Sequence, residues 1–445
     1  MIRAWNSSDR YFFSFVLANM AQGGSSLLIP LFVAQVLNGT NSDVGLVTGL
    51  ASLAGVPASI WWGRISDTWK RRKVFVLIGM FGVTLGLSLM ALAENIWQMM
   101  VANALINATW LASAAVATLI AIEGLEKEKW NPRIGRFNRF GGLGWVSGLI
   151  LGSLWMQLIT QQSAPGDEAN MSMRILFGVL STLSLISAIW AIAWIHESPI
   201  KLEQRGFESV MIAVGNLWER FKFAPQELFH IISNPSKLLD AFRNRESLGK
   251  ALRLYFIATV CFFVGFSAMF VPFPLFLKNQ LGLNGSEIFA LFIIHSGTSA
   301  FINPLAGRLA QRYGSRLLQR IFLSVRVIIF ALAPAFIFLQ GHHLAALFVV
   351  GFFFLLTGTS WAFINVSAVS IISKRAPFEQ RAQALGTYNA LAGGGNILGA
   401  LIGGYIADFN YTVDFLFASS MCGIAVLLMF VWARRTPRLP QRTEA

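Results

Sequence analysis

Two triplets of polar and aromatic residues interrupt an otherwise apolar chain of 445 residues. Asn103, Asn107 and Trp110 are four and three positions apart; Thr357, Trp361 and Asn365 are four apart. In a helix each set shares one face. Carboxamides, hydroxyls and indoles so arranged hydrogen-bond to and stack on neutral or weakly polar solutes, and a buried amide without a partner is costly. Any single Asn or Ser serves at least as often to tie two helices together, so the co-facial sets carry more weight than their members. Titratable groups inside apolar runs are scarce. His295 titrates near neutrality and can relay protons, although a lone histidine more often has a structural role. Arg326 has no acid nearby in sequence and is expected to snorkel to an interface. Asp67 and Glu123 lie at the ends of apolar runs. No His-Glu-x-x-His, Gly-x-Ser-x-Gly or paired intramembrane acids occur, which excludes the common enzyme chemistries; no cofactor and no metal site is expected.

These residues need elements to hold them. The chain is 55% hydrophobic and 13% charged, with 38 Phe and 14 Trp, more apolar material than a soluble domain hides. Twelve runs are long enough to cross roughly 30 Å of hydrocarbon as helices. The expected fold is an all-α membrane protein of twelve transmembrane helices in two pseudo-symmetric halves. The expected boundaries are an N-terminal six-helix bundle over 1–195, a linker with amphipathic helices over 196–250, a C-terminal six-helix bundle over 251–433 and a tail over 434–445. The first run is too long for a signal-peptide core and is expected to be retained. Leu252–Leu277 is read as one span and Leu317–Leu339 as another. Cys261 and Cys422 both fall inside spans, as apolar filling rather than a disulfide framework.

The formal charge of +14 raises nucleic-acid binding, but the cations alternate by loop. They crowd alternate segments, while the intervening loops hold only Arg174 and Lys278. Lys and Arg resist translocation, so both termini are expected in the cytoplasm. The basicity is topology with some attraction to anionic lipid, and nucleic acid is excluded as a partner.

The chain also repeats itself. Gly63-Arg64 and the cations after the second span return as Gly307-Arg308 and its cations after the eighth. Gly144, Gly148 and Gly152 in span five match Gly395, Gly399 and Gly403 in span eleven, a spacing that suits close helix packing. Duplicated six-span halves are an architecture of transporters.

Gly63-x-x-x-Asp67-x-x-x-Arg71-Arg72-Lys73 resembles the loop 2–3 signature of the major facilitator superfamily, with Thr68 and Lys70 departing from its usual Arg and Gly. The resemblance extends over the twelve spans, the long central stretch and the degenerate second copy at Gly307 and Arg308. It implies that Asp67 latches the cytoplasmic side of the two halves. It implies further that spans one, four, seven and ten line a central cavity, with help from two, five, eight and eleven. The cavity candidates are then Asn19, Gln22, Asn103, Asn107, Trp110, His295, Thr357, Trp361, Asn365, Tyr388 and Asn389. Asp67, Glu123 and His295 are the candidates for proton coupling, and nothing in the sequence selects one.

The expected function is secondary transport of a small organic solute by alternating access, with efflux of a hydrophobic or amphipathic compound favoured by the Trp-, Phe- and Met-rich spans. A facilitator or symporter for a neutral solute such as a sugar, a lipid or lysolipid mover, and a non-transporting assembly factor stay open. A monomer in a bacterial or archaeal plasma membrane is expected, with the bilayer and the solute as partners.

Overall fold

The computed structural model describes residues 10–69, 72–122, 127–162, 167–195, 248–376 and 381–436. Among these residues the backbone is almost wholly helical and forms no strand. The first six helices are α1 (Phe12–Gln35), α2 (Asn41–Trp69), α3 (Arg72–Ala91), α4 (Ile96–Ile122), α5 (Lys127–Gln162) and α6 (Asp167–Trp194). The expected amphipathic linker lies outside the described residues. Then come α7 (Leu248–Phe270), α8 (Phe273–Asn279), α9 (Gly285–Leu309), α10 (Ser315–Leu332), α11 (His343–Arg375), α12 (Arg381–Phe409) and α13 (Tyr411–Arg435). All but α8 have 18 or more residues. Eight described stretches are both long and apolar enough to cross a membrane, one of which, Gly285–Leu339, runs through α9 and α10 together. Helices suit that solvent because each satisfies its own backbone hydrogen bonds.

Two expected spans are not continuous helices. The run read as Leu252–Leu277 breaks into α7 and α8 around Val271 and Pro272, because Pro272 and Pro274 each lack the N–H that an unbroken helix requires. The run read as Leu317–Leu339 leaves the α-helix at Leu332 and finishes as a 3₁₀ turn, Ala333–Leu339, with Pro334 at its start. Between α9 and α10 a π turn, Ala310–Gly314, ends on Gly314 at φ +91°, a conformation that favours glycine. Asn284 and Glu287 form a capping box on α9, and Asn410 caps α13 through the N–H groups of Thr412 and Val413.

The packing repeats. Helix α1 lies on α5 and α6, α2 on α4, and α3 on α4 and α6; α7 lies on α12 and α13, α9 on α11, and α10 on α11 and α13. The two sets meet along α2 with α12 and α5 with α9. The glycine ladders explain the closest approaches. A Cβ at Gly144 or Gly148 would run into the carbonyls of Val16 and Met20 on α1, and one at Gly399 into the carbonyl of Val264 on α7. Gly152 gives its space to the Phe289 ring of α9. Large apolar side chains such as Leu92, Phe301 and Phe338 stand exposed on the outside, as a lipid-facing surface requires.

Candidate functional site

Helices α1, α4 and α5 enclose a cavity of about 410 Å³, lined by Phe15, Asn19, Trp110, Ser113, Ala117, Phe137, Asn138, Gly141 and Gly142. That volume lies within the range of small-molecule sites. Among the described residues, none that lines it carries a charge. Phe137 meets Phe15 edge-on at 4.9 Å between ring centroids and Phe12 at 5.5 Å, so the aromatic wall is braced from behind. Asn19 turns its amide nitrogen back to the Phe15 carbonyl at 2.7 Å, which keeps the group in place and leaves its carbonyl oxygen for other donors. The buried Ser113 hydroxyl has no hydrogen-bond partner among the described residues. Gly141 and Gly142 keep the α5 wall low.

The rest of the α4 set serves differently. Asn103 is buried and donates to the Val47 carbonyl of α2 at 3.1 Å; Asn107 donates to the Asn103 carbonyl at 3.0 Å. Asn103 ties α4 to α2, Asn107 bonds back within α4, and of the three co-facial residues only Trp110 lines the cavity. Gln22 on α1 is half-buried.

In the second half the polar candidates gather behind an aromatic wall. Trp361 of α11 stacks on Phe266 of α7 at 4.9 Å and meets Phe263 edge-on at 6.1 Å; Phe263 in turn meets Tyr388 of α12 at 6.2 Å. His295 Nδ1 lies 3.2 Å from the Thr357 hydroxyl. Arg326, expected to snorkel to an interface, is instead fully buried. Its Nε and one terminal nitrogen donate to Ser360 Oγ at 3.1 and 2.8 Å, and it donates to the Thr357 carbonyl. The faces of Phe266 and Phe330 lie 5.4 and 5.6 Å from its guanidinium carbon. Acceptors on the next helix and aromatic faces take the place of the interface for Nε and one terminal nitrogen, while the other terminal nitrogen has no hydrogen-bond partner among the described residues. Asn365 and Asn389 are exposed. Thus Thr357 and His295 meet directly, and Arg326 links Thr357 to the aromatic wall that includes Trp361.

Of the loop-signature residues, Gly63 and Asp67 lie near the end of α2 but their surroundings are outside the described residues, as are Arg71 and Glu123 entirely. Arg72 opens α3 and is half-buried; Arg308 is exposed, and a Cβ at Gly307 would meet nothing within 4 Å. The second copy of the signature is therefore not a close helix crossing at its glycine.

Sequence reasoning passed over two acids. Asp408, at the C-terminal end of α12, accepts the N–H groups of Asn41 at 2.7 Å and Ser42 at 3.0 Å, capping the N-terminus of α2 across the boundary between the halves. Tyr411 adds a bond to Asn41 Oδ1 at 3.2 Å. At the same end, a Cβ at Gly45 would collide with the Ala400 carbonyl, and Ser153 of α5 donates to the Ser286 carbonyl of α9 at 3.0 Å. This end of the molecule is sealed. Asp414, in the first turn of α13, is fully buried, and neither carboxylate oxygen has a partner among the described residues. The available signals were an acid directly after the run 382–407 for Asp408 and an acid inside the run 413–432 for Asp414.

A profile of the Major Facilitator Superfamily matches residues 11–368 and again 255–445. The chain belongs to that superfamily of multi-pass membrane proteins. It is 27% identical over 194 residues to the quinolone resistance protein NorA of Staphylococcus aureus (strain MRSA252), covering 43% of this chain and 47% of NorA. It is also 27% identical over 174 residues to multidrug resistance protein 1 of Bacillus subtilis (strain 168), covering 39% of this chain and 43% of that protein. The matching stretch thus spans under half of either relative. Among solved structures, a POT family transporter in complex with a thioalcohol-conjugated peptide superposes with TM-score 0.72 at 12% identity, over 96% of this chain and 95% of that one. The nucleoside transporter NupG gives 0.67 at 14% identity, over 96% and 98%. These likenesses show the fold.

Proposed function

We propose that the protein is a secondary transporter that exports a hydrophobic or amphipathic organic compound by alternating access. The observation that carries this reading is the cavity between α1, α4 and α5: aromatic walls, two carboxamides, one unpartnered hydroxyl and no fixed charge among the described lining residues. Burying a carboxylate or phosphate there would leave its charge uncompensated, whereas aromatic or weakly polar solutes lose little on entry. The names of the two bacterial relatives support efflux.

The halves 1–195 and 251–433 rock against each other, joined by the stretch 196–250. With the basic loops in the cytoplasm, the end sealed by Asp408, Gly45 and Ser153 faces outward and the chain is in an inward-facing state. Asp67 then plays on the cytoplasmic side the part that Asp408 plays outside. Proton coupling runs through one of Asp67, Glu123 and His295, and Asp414 joins them as a buried carboxyl group with no donor to hold it.

The test is flux in proteoliposomes across a panel of lipophilic dyes, lipophilic cations, sugars and amino acids, with and without an imposed pH gradient. Accumulation of lipophilic compounds under the gradient supports the reading. Equilibration alone makes the protein a facilitator, and preference for sugars or amino acids removes the assignment.

A further inference from the structure

Among the described acids, Asp414 alone is fully buried, and neither of its carboxylate oxygens has a hydrogen-bond partner among the described residues. The start of its own helix offers it no donor. Asn410 Oδ1 takes the N–H groups of Thr412 and Val413, and the N–H of Asp414 goes to the Asn410 carbonyl at 3.2 Å. The elements packed on α13 at this end, α7, α8, α10, α12 and the 3₁₀ turn, are all described there, and none supplies a counter-charge. Lys278 of α8 is half-buried and makes no ion pair with Asp414. Arg326 of α10 gives its hydrogen bonds to Ser360 and Thr357 of α11. The remaining described cations of α7, α10 and α13 lie at the opposite ends of those helices. Asp408 of α12 and Tyr411 of α13 add no positive charge, and the 3₁₀ turn carries no titratable group. At the same end of α9 and α11, Glu287 and His343 pair with each other at 2.8 Å. A carboxyl group enclosed without water or donor is held as the neutral acid.

Its position ties that proton to the seal between the halves. Tyr411, three residues earlier on the same face of α13, donates to Asn41 Oδ1 of α2 at 3.2 Å. Phe276 of α8 meets the Tyr411 ring at 5.2 Å and the Phe415 ring at 4.9 Å, and α8 itself rests on α1. The residues flanking Asp414 are therefore held down by contacts that join the two halves. Helix α8 is separated from α7 by the break at Val271 and Pro272, so it can lift without carrying α7.

We propose that Asp414 is a proton-operated lock on the sealed end: it carries a proton while that end is closed and gives it up to water when the halves part there. The inference rests on the reading that the halves alternate between two states, and is independent of the solute. The closed state binds one proton more than the open state, so acid favours closure and rising pH favours opening.

The experiment is double electron-electron resonance on the full-length chain in liposomes, without solute. Spin labels are placed at Asn95→Cys and His342→Cys, exposed positions at the sealed end of the two halves, in a parent lacking Cys261 and Cys422. The closed-to-open ratio of the parent is expected to fall at least tenfold between about pH 5 and about pH 9, the limit for one proton being tenfold per pH unit. Asp414→Asn, which keeps the shape and fixes the neutral form, is expected to stay closed throughout. His343→Gln, which removes the titratable pair with Glu287, is expected to respond as the parent does. A parent ratio that ignores pH, an unchanged response in Asp414→Asn, or loss of the response in His343→Gln would each overturn the proposal. Infrared spectroscopy reads the proton itself and does not require the variant to fold: the closed wild-type protein is expected to show a carboxylic C=O stretch at neutral pH, which Asp414→Asn removes. Absence of that band from the wild type would also overturn the proposal. Failure of the pH response beside intact lipophilic efflux defeats the lock alone, whereas an intact response without efflux defeats the functional reading alone.

Discussion

Trp110 and Ser113 occupy one wall of the uncharged cavity, three positions apart on α4, and they define what it can hold. An indole face contributes stacking area, and a buried hydroxyl without a partner gains from any donor or acceptor that a solute brings. Ser113→Ala is expected to raise the half-saturation concentration for an oxygen-bearing lipophilic solute several-fold while leaving purely hydrocarbon solutes unaffected; equal effects on both would remove the hydroxyl from recognition. Arg326 acts through packing. Ser360→Ala removes the acceptor of two of its hydrogen bonds inside an aromatic enclosure, at about 1–3 kcal/mol, and is expected to lower the thermal midpoint. An unchanged midpoint would contradict that role. The co-facial triplet in α4 was legible from spacing alone, but its division of labour was not. Spacing places Asn103, Asn107 and Trp110 on one face, whereas only packing decides that α2 claims Asn103 and leaves Trp110 to the cavity. Arg326 misled for a similar reason: its acceptors come from α11, 31 and 34 residues away.

Among the helices, small residues set the distances. Gly148 accommodates the Met20 carbonyl, and that carbonyl cannot give way as a flexible side chain would. Gly148→Ala is expected to cost about 1–3 kcal/mol as an overpacked contact and to reduce the yield of folded protein; wild-type yield and stability would show that α1 and α5 can separate freely. Between the halves, Asp408 holds the first turn of α2. Its carboxylate remains partly exposed, so the contact contributes about 1 kcal/mol. Asp408→Asn is expected to shift the population about fivefold toward the state open at that end. A cysteine replacing Ser153 in the α5 and α9 seam should then react faster with a membrane-impermeant maleimide added from that side, in a background lacking Cys261 and Cys422. An unchanged rate would show that the cap does not hold the seal. The glycine spacing predicted close packing, and the structure assigns its partners. The breaks at Pro272 and Pro334 were equally available in the sequence, but an apolar run long enough to span outweighs a proline inside it, and Pro30 and Pro304 are indeed tolerated within α1 and α9.

At the scale of the molecule, the architecture was written in composition, alternating charge and repetition, because a bilayer permits few solutions for so apolar a chain. The substrate region was less legible, since uncharged recognition uses the residue types that also pack helices. The sealed end depends on pairs of residues from 133 to 367 positions apart, which no local pattern records. The cavity between α1, α4 and α5 carries the functional reading, so it supplies the decisive measurement: the concentration dependence of lipophilic-solute flux in proteoliposomes, wild type against Trp110→Ala. The account predicts an approximately tenfold rise in half-saturation concentration, equivalent to about 1.4 kcal/mol of lost binding, in a protein that still folds and inserts. An unchanged half-saturation concentration would place the solute elsewhere and contradict the account.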